Sequence, residues 1–178
     1  GVRRGLDVRV ARLAFVYGEG DVTLAGAVGE LLGQLGWRLA LAESCTGGLV
    51  SQLITNVPGS SAYYVGGVCC YSNEVKVGVL GVGADTLGDH GAVSEAVARQ
   101  MAEGACRTLG ADVALSITGI AGPTGGSADK PVGLVHWAVH TPRGTTARHM
   151  VFPGTRHQVQ RLAAFAGLAT VRDQLVGP

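Results

Sequence analysis

Residues 38–59 read RLALAESCTGGLVSQLITNVPG, and the order of signals inside them sets the fold class. Residues 38–42 are a short apolar run of strand length. Glu43-Ser44-Cys45-Thr46-Gly47-Gly48 interrupts it with polar and small residues. Leu49, Val50, Leu53 and Ile54 then return at helical spacing until Asn56-Val57-Pro58-Gly59 stops the helix. A strand that passes through a glycine turn into a helix is a unit of layered α/β folds.

The same alternation continues on both sides. Upstream, residues 8–16 are β-rich; from Asp21, an expected N-cap, Leu24, Val28, Leu31, Leu32 and Leu35 recur at helical spacing, closed by Gly36. Downstream, residues 67–71 read as a strand. A helix from about Ser94 carries Val97, Met101 and Leu109 on one face, with Gly110 beyond its end. Residues 112–118 (DVALSIT) form a buried strand, and a glycine-rich loop runs on to Lys130. Residues 132–140 and 145–152 pair through a hairpin turn at Thr141-Pro142-Arg143-Gly144. Val159, Leu162, Ala163 and Ala166 mark a closing helix. The expected architecture is a three-layer α/β/α sandwich with a mixed, mostly parallel sheet. Residues 21–178 form one domain, and residues 1–20 a lead consistent with the remnant of a preceding module.

Composition narrows the function classes. Of 178 residues, 47% are apolar and 15% charged, and the formal charge is +1. That balance offers neither a basic nucleic-acid footprint nor an acidic tail. Glycine is the outlier at 29, but no Gly-X-Y period accompanies it and prolines number 6, which excludes collagen. Abundant Val, Leu and Ala with little net charge argue against disorder. No apolar run approaches the ~18 residues of a membrane span, and no signal peptide opens the chain. Cys45, Cys69, Cys70 and Cys106 match neither a disulfide framework nor a metal motif, so they read as reduced thiols of a cytoplasmic protein. Cys69 and Cys70 should face opposite sides of a strand. The five histidines form no ligand pattern, so no metal site is expected.

Three segments can carry chemistry. Ser44 lies where a strand ends and a helix begins, close to backbone N–H groups that can stabilise an oxyanion or hold a phosphate. Taken alone, it reads first as a helix cap, because the S-x-x-G-G pattern is weak. Tyr71-Ser72-Asn73-Glu74-Val75-Lys76 offers a lysine, which becomes a general base when burial lowers its pKa, and a tyrosine to relay its proton. Taken alone, the segment reads first as a strand-end aromatic at Tyr71 and a solvated helix charge at Lys76. Thr118-Gly119-Ile120-Ala121-Gly122-Pro123-Thr124-Gly125-Gly126-Ser127 follows a buried strand, where α/β folds bind ligands. Its glycines fit neither a Walker loop nor a dinucleotide fingerprint; a plain connection of this length is uncommon.

Taken in order, several motifs resemble one family. They are Ala42-Glu43-Ser44-Cys45-Thr46-Gly47-Gly48, Pro58-Gly59-Ser60-Ser61, Tyr71-Ser72-Asn73, Gly91-Ala92-Val93-Ser94, Thr118-Gly119-Ile120-Ala121-Gly122-Pro123 with Gly125-Gly126, and Lys130-Pro131-Val132-Gly133. Across residues 22–175 the chain resembles the CinA carboxy-terminal domain, the nicotinamide-nucleotide amidase family. The resemblance implies hydrolysis of nicotinamide mononucleotide to nicotinate mononucleotide and ammonia. It implies Ser44 as nucleophile with Tyr71 and Lys76 as activating partners, and no cofactor or metal. Thr46, Gly47, Gly48, Ser61, Thr118, Gly119, Gly122 and Arg156 are the expected substrate-binding positions; Arg156 suits a phosphate through its fixed donor fork. Thr155 stands where the family commonly carries Asp, and Gln160 where Arg is frequent.

The family also occurs behind a pyrophosphatase-like module, and the chain opens at Gly1 without a Met, as a piece of such a protein would. A small-molecule substrate and a homo-oligomer are expected; nucleic-acid and membrane partners are not. The alternative is a non-catalytic nucleotide-binding or regulatory domain. Such a domain has no need of Ser44, Tyr71 and Lys76 together.

Overall fold

The computed structural model describes residues 21–177. The expected strand at 8–16, the 1–20 lead and the side chain of Asp21 lie outside the described residues.

Strand β1, Leu39–Glu43, reads LALAE and is buried along its whole length. Pleating sends its two leucines to one side and its two alanines to the other. Strands β2 (Tyr64–Cys69), β3 (Val113–Gly119), β4 (Leu134–Thr141) and β5 (Gly144–Val151) complete a sheet of order β2-β1-β3-β4-β5. The β1–β2 and β1–β3 pairs are parallel, and the β3–β4 and β4–β5 pairs antiparallel. Four strands therefore point one way and β4 alone runs against them. The sheet is mixed, and mostly parallel in direction although half of its pairings are antiparallel.

The alternation of large and small residues continues into β3 and β4. Leu39, Leu41, Val113, Leu115, Ile117, Val135, Trp137 and Val139 enter one core with helices α1 (Asp21–Leu35), α2 (Leu49–Thr55) and α6 (Arg156–Val176). Ala40, Ala42, Ala114 and Ala138 face the other side, where α5 (Glu95–Leu109) lies. Helix α5 answers with its own small residues, Ala98, Ala102 and Ala105. The Ser116 hydroxyl donates to the Ala98 carbonyl at 2.6 Å, a bond that only a close helix–sheet approach permits. Helices on both faces make the α/β/α sandwich. Ser94 caps α5 by accepting from the Val97 N–H, and Gly110 closes it in the left-handed conformation.

Two boundaries differ from expectation. The strand expected at 67–71 occupies Tyr64–Cys69, leaving Tyr71 beyond its end. As an edge strand it alternates half-buried and exposed residues, and Gly66 and Gly67 dilute its apolar signal. Helix α3 (Asn73–Gly78) was anticipated only as a helix carrying Lys76, without bounds, and α4 (Ala84–His90) not at all, since six or seven residues are too few to display a period. The hairpin forms as expected: β4 ends at Thr141 and β5 begins at Gly144.

Candidate active site

Parallel β1, β2 and β3 bring their carboxyl ends to one edge of the sheet. From β1 the chain moves outward to β2 through α2 on one face, then returns past β1 to β3 through α5 on the other. Strand order reverses there, and the ends of such strands splay into a ligand crevice. A cavity of about 190 Å³ opens at this point, lined among others by Ser44, Cys45, Tyr71, Lys76, Thr118 and Arg156.

Ser44 follows β1 directly and is itself buried. It does not cap α2. That role falls to Glu43, whose carboxylate is 1% exposed and turns back under the loop. One carboxylate oxygen accepts from the Gly48 and Val50 N–H groups, each at 3.1 Å. The other accepts from the Ser51 N–H at 2.8 Å and the Ser51 hydroxyl at 2.7 Å. Four donors and a helix amino end satisfy a charge that would otherwise be costly to bury. Gly47 and Gly48, at φ 62° and 102°, let the backbone make this turn.

The consequence corrects an expectation about the glycines. The Gly47 N–H donates to the Ser44 carbonyl and the Gly48 N–H to Glu43, so neither is free to meet a ligand. Thr46 is buried with an unpaired hydroxyl and, like Gly47 and Gly48, does not line the cavity. Ser61 is not brought to the site either. It is exposed on the 3-10 turn Ser60–Ala62, at the amino end of β2, the opposite edge of the sheet.

Lys76 comes from α3, which Ser72 caps by accepting from the Val75 N–H. The helix is short, but it turns the lysine inward: Lys76 is 1% exposed. Its Nζ donates to the Cys70 carbonyl at 2.7 Å and to Ser44 Oγ at 3.3 Å. Burial holds its pKa below the ordinary lysine value of 10.5. Cys45, beside the serine, is pushed up to about 12, chiefly by burial, and stays a neutral thiol at physiological pH. Cys69, the last residue of β2, is exposed, whereas Cys70 lies just beyond the strand, not on it as expected, and is buried; all four cysteines are free thiols.

Tyr71 is 66% exposed at the cavity mouth. Its hydroxyl accepts from Arg156 Nη2 at 3.2 Å and makes no hydrogen bond with Ser44 or Lys76. Arg156, on the first turn of α6, also donates from Nη1 to the Gly122 carbonyl at 2.9 Å. Thr155 and Gln158 form a reciprocal capping box that fixes this turn. Gln160, where the family often has Arg, donates to the Cys45 carbonyl at 2.8 Å and so braces the serine loop. Thr118 and Gly119 line the cavity from the end of β3, and the Thr118 hydroxyl donates to the Ala92 carbonyl at 2.8 Å.

Sequence reading overlooked two groups here: Glu43 and Asn73, the latter lining the cavity. The signal for Glu43 was present, an acidic residue ending an apolar strand just ahead of a helix. His136 stacks on its cross-strand neighbour His149, with ring centroids 5.1 Å apart. Among the described residues no cluster of three or more His, Cys, Asp or Glu is placed to hold a metal, and no helix is long and apolar enough to cross a membrane.

Comparison with known proteins agrees with these motifs. The chain is 49% identical over 177 residues to a CinA-like protein of Anaeromyxobacter sp. (strain Fw109-5), covering 94% of this chain and 43% of that protein. It thus spans about two fifths of the length of the curated relatives it matches. Among solved structures it superposes on the competence/damage inducible protein CihA from Agrobacterium tumefaciens with a TM-score of 0.83 and 41% identity, covering 85% of this chain and 94% of that one. A competence-damaged protein (CinA) superfamily protein from Klebsiella pneumoniae gives 0.85 and 36%, with 88% and 98% covered. The CinA C-terminal domain model matches residues 21–175, and the chain belongs to that family.

Proposed function

We propose that the protein is a serine amidase that converts nicotinamide mononucleotide and water to nicotinate mononucleotide and ammonia. The observation that carries this reading is the buried pair at the cavity floor, Lys76 Nζ at 3.3 Å from Ser44 Oγ. A desolvated lysine close to a serine is a base–nucleophile pair of the kind acyl transfer requires. Arg156 at the rim supplies a cation for the nucleotide phosphate.

Neutral Lys76, its amine held by the Cys70 carbonyl, takes the proton as Ser44 Oγ attacks the carboxamide carbon. The C=O electron pair moves onto oxygen. Cys45, the neighbour of Ser44 in its loop, lines the cavity. Collapse breaks the C–N bond, and ammonia leaves with the proton that Lys76 took. Water then attacks the ester, Lys76 takes its proton, and the serine oxygen recovers it.

The test is ammonia release from nicotinamide mononucleotide by purified protein. Turnover is expected in the wild type and a loss of at least about a thousandfold in Ser44→Ala and Lys76→Ala, in line with removal of a nucleophile or its base. Activity that survives Ser44→Ala would sink the mechanism. Tight nucleotide binding without turnover in the wild type would favour a binding module instead.

A further inference from the structure

We propose that Arg156 withholds Tyr71 from the catalytic pair until the phosphate monoester of the substrate claims the guanidinium. The proposal rests on the amidase reading and adds to it a way of coupling phosphate recognition to turnover.

Three observations lead there. First, Arg156 is a strap. Its two terminal nitrogens reach the Tyr71 hydroxyl and the Gly122 carbonyl, tying the loop after β2 to the glycine-rich loop across the cavity mouth. Second, both acceptors are neutral, and among the described residues Arg156 has no carboxylate partner. A phosphate monoester offers two charged oxygens to the same fork, and charge-assisted bonds are about twice as strong as neutral ones. The phosphate therefore displaces phenol and carbonyl together. Third, Tyr71 is positioned for a role it does not fill in this state. It lines the cavity with Ser44 and Lys76, yet its hydroxyl is bonded only to Arg156. Its chain neighbours are fixed: the Cys70 carbonyl by Lys76, and Ser72 as the cap of α3. Release of the hydroxyl thus frees a side chain at the cavity, not a loop.

The proton count closes. After Lys76 has taken the Ser44 proton, the freed Tyr71 hydroxyl gives its proton to the departing nitrogen and regains one from the Lys76 ammonium. A substrate without phosphate leaves the strap in place and turns over slowly. Arg156 then sets specificity for phosphorylated substrates through kcat as well as through KM.

The experiment has a binding arm and a kinetic arm, both on the full chain. Tyrosines labelled at Cζ are observed by carbon NMR, with Tyr71→Phe assigning the signal. Inorganic phosphate should move the Tyr71 signal to its position in Arg156→Ala and leave the other three tyrosines in place. A Tyr71 signal that ignores phosphate, or that moves equally in Arg156→Ala, overturns the proposal.

In the kinetic arm, nicotinamide mononucleotide is compared with the corresponding nucleoside. Wild-type kcat should fall about tenfold on the nucleoside, the worth of one charge-assisted hydrogen bond. Added phosphite should restore part of that loss. Arg156→Ala should raise KM for the nucleotide yet raise kcat for the nucleoside, a gain that no merely structural damage produces. Arg156→Lys, which keeps the charge without the fork, should behave like Arg156→Ala on the nucleoside. Unchanged or lower nucleoside kcat in both variants would refute the strap. If the wild type hydrolyses neither compound, the amidase reading fails, and the NMR arm still decides whether phosphate releases Tyr71.

Discussion

Lys76 is buried as completely as Leu24 or Ile54, yet it ends in an amine. Burying a charge costs stability, and the protein lessens the cost by keeping the lysine pKa low. Between that lowered value and 10.5 the unfolded chain binds the proton that the folded chain has released, so stability rises with pH across this window. Above 10.5 both states are neutral and the penalty is gone. Lys76→Met fills the same volume without the amine. It is expected to gain about 1–3 kcal/mol at neutral pH while abolishing activity, and the gain should shrink as pH approaches 10.5. Urea unfolding across pH checks this; a gain independent of pH would show that desolvation of the ammonium is not its source. On the amidase reading the same neutral form serves as the base, so kcat/KM should climb with pH on a limb centred below 10.5. The sequence offered Lys76 as a base on condition of burial, but the burial itself was not legible there. Lys76 stands two residues from Glu74 in a short polar stretch, and only the fold shows that α3 turns it inward.

Helix α1 shows how glycines divide by what faces them. Gly26, Gly29 and Gly33 all weaken the helix by propensity, and nothing in the local pattern separates them. The structure does. A Cβ on Gly29 would press into the Tyr63 ring at 2.6 Å, whereas Gly26 and Gly33 have open space. Gly29→Ala is therefore expected to cost about 1–3 kcal/mol by overpacking. Gly33→Ala, on an exposed helical turn, should gain roughly 0.5–1 kcal/mol. Thermal unfolding of the two variants separates the cases, and equal signs would refute the packing account. Helix α2 is a parallel case. Its glycine turn was readable as a strand-to-helix junction, and Ser44 taken alone read first as a cap and second as a nucleophile. The choice was made by Glu43, which took the capping role and left the serine facing the cavity.

Across the molecule, the sheet carries large side chains on one face and small ones on the other. The face of Leu41, Leu115 and Trp137 supports three helices, and the face of Ala40, Ala114 and Ala138 admits α5 at close range. Ala114→Leu should force α5 away from the sheet at a cost of about 1–3 kcal/mol or more, measurable by denaturant unfolding. A neutral result would mean that the small face is not needed for the helix to seat. The alternation LALA and VALSIT is periodic and local, so β1, β3, the hairpin strands, the α/β class and the ordered family motifs were determined by the sequence alone, while edge strand β2 was displaced from its expected place. Local pattern reports which residues share a face, because that depends only on backbone geometry. It does not report which loop meets which across the ends of a sheet. Bringing Lys76 to 3.3 Å from Ser44, 32 residues away, needs the whole β1-α2-β2 crossover. Joining Arg156 to Tyr71, 85 residues apart, needs α6 folded back against the sheet. Ser61 makes the same point in reverse: its motif lies close to Ser44 in sequence, yet the parallel crossover carries it to the opposite edge. Ser44 and Lys76 were legible as residues, whereas their approach, the buried Glu43 carboxylate under the serine loop and the Arg156–Tyr71 contact over the cavity were decided by long-range packing.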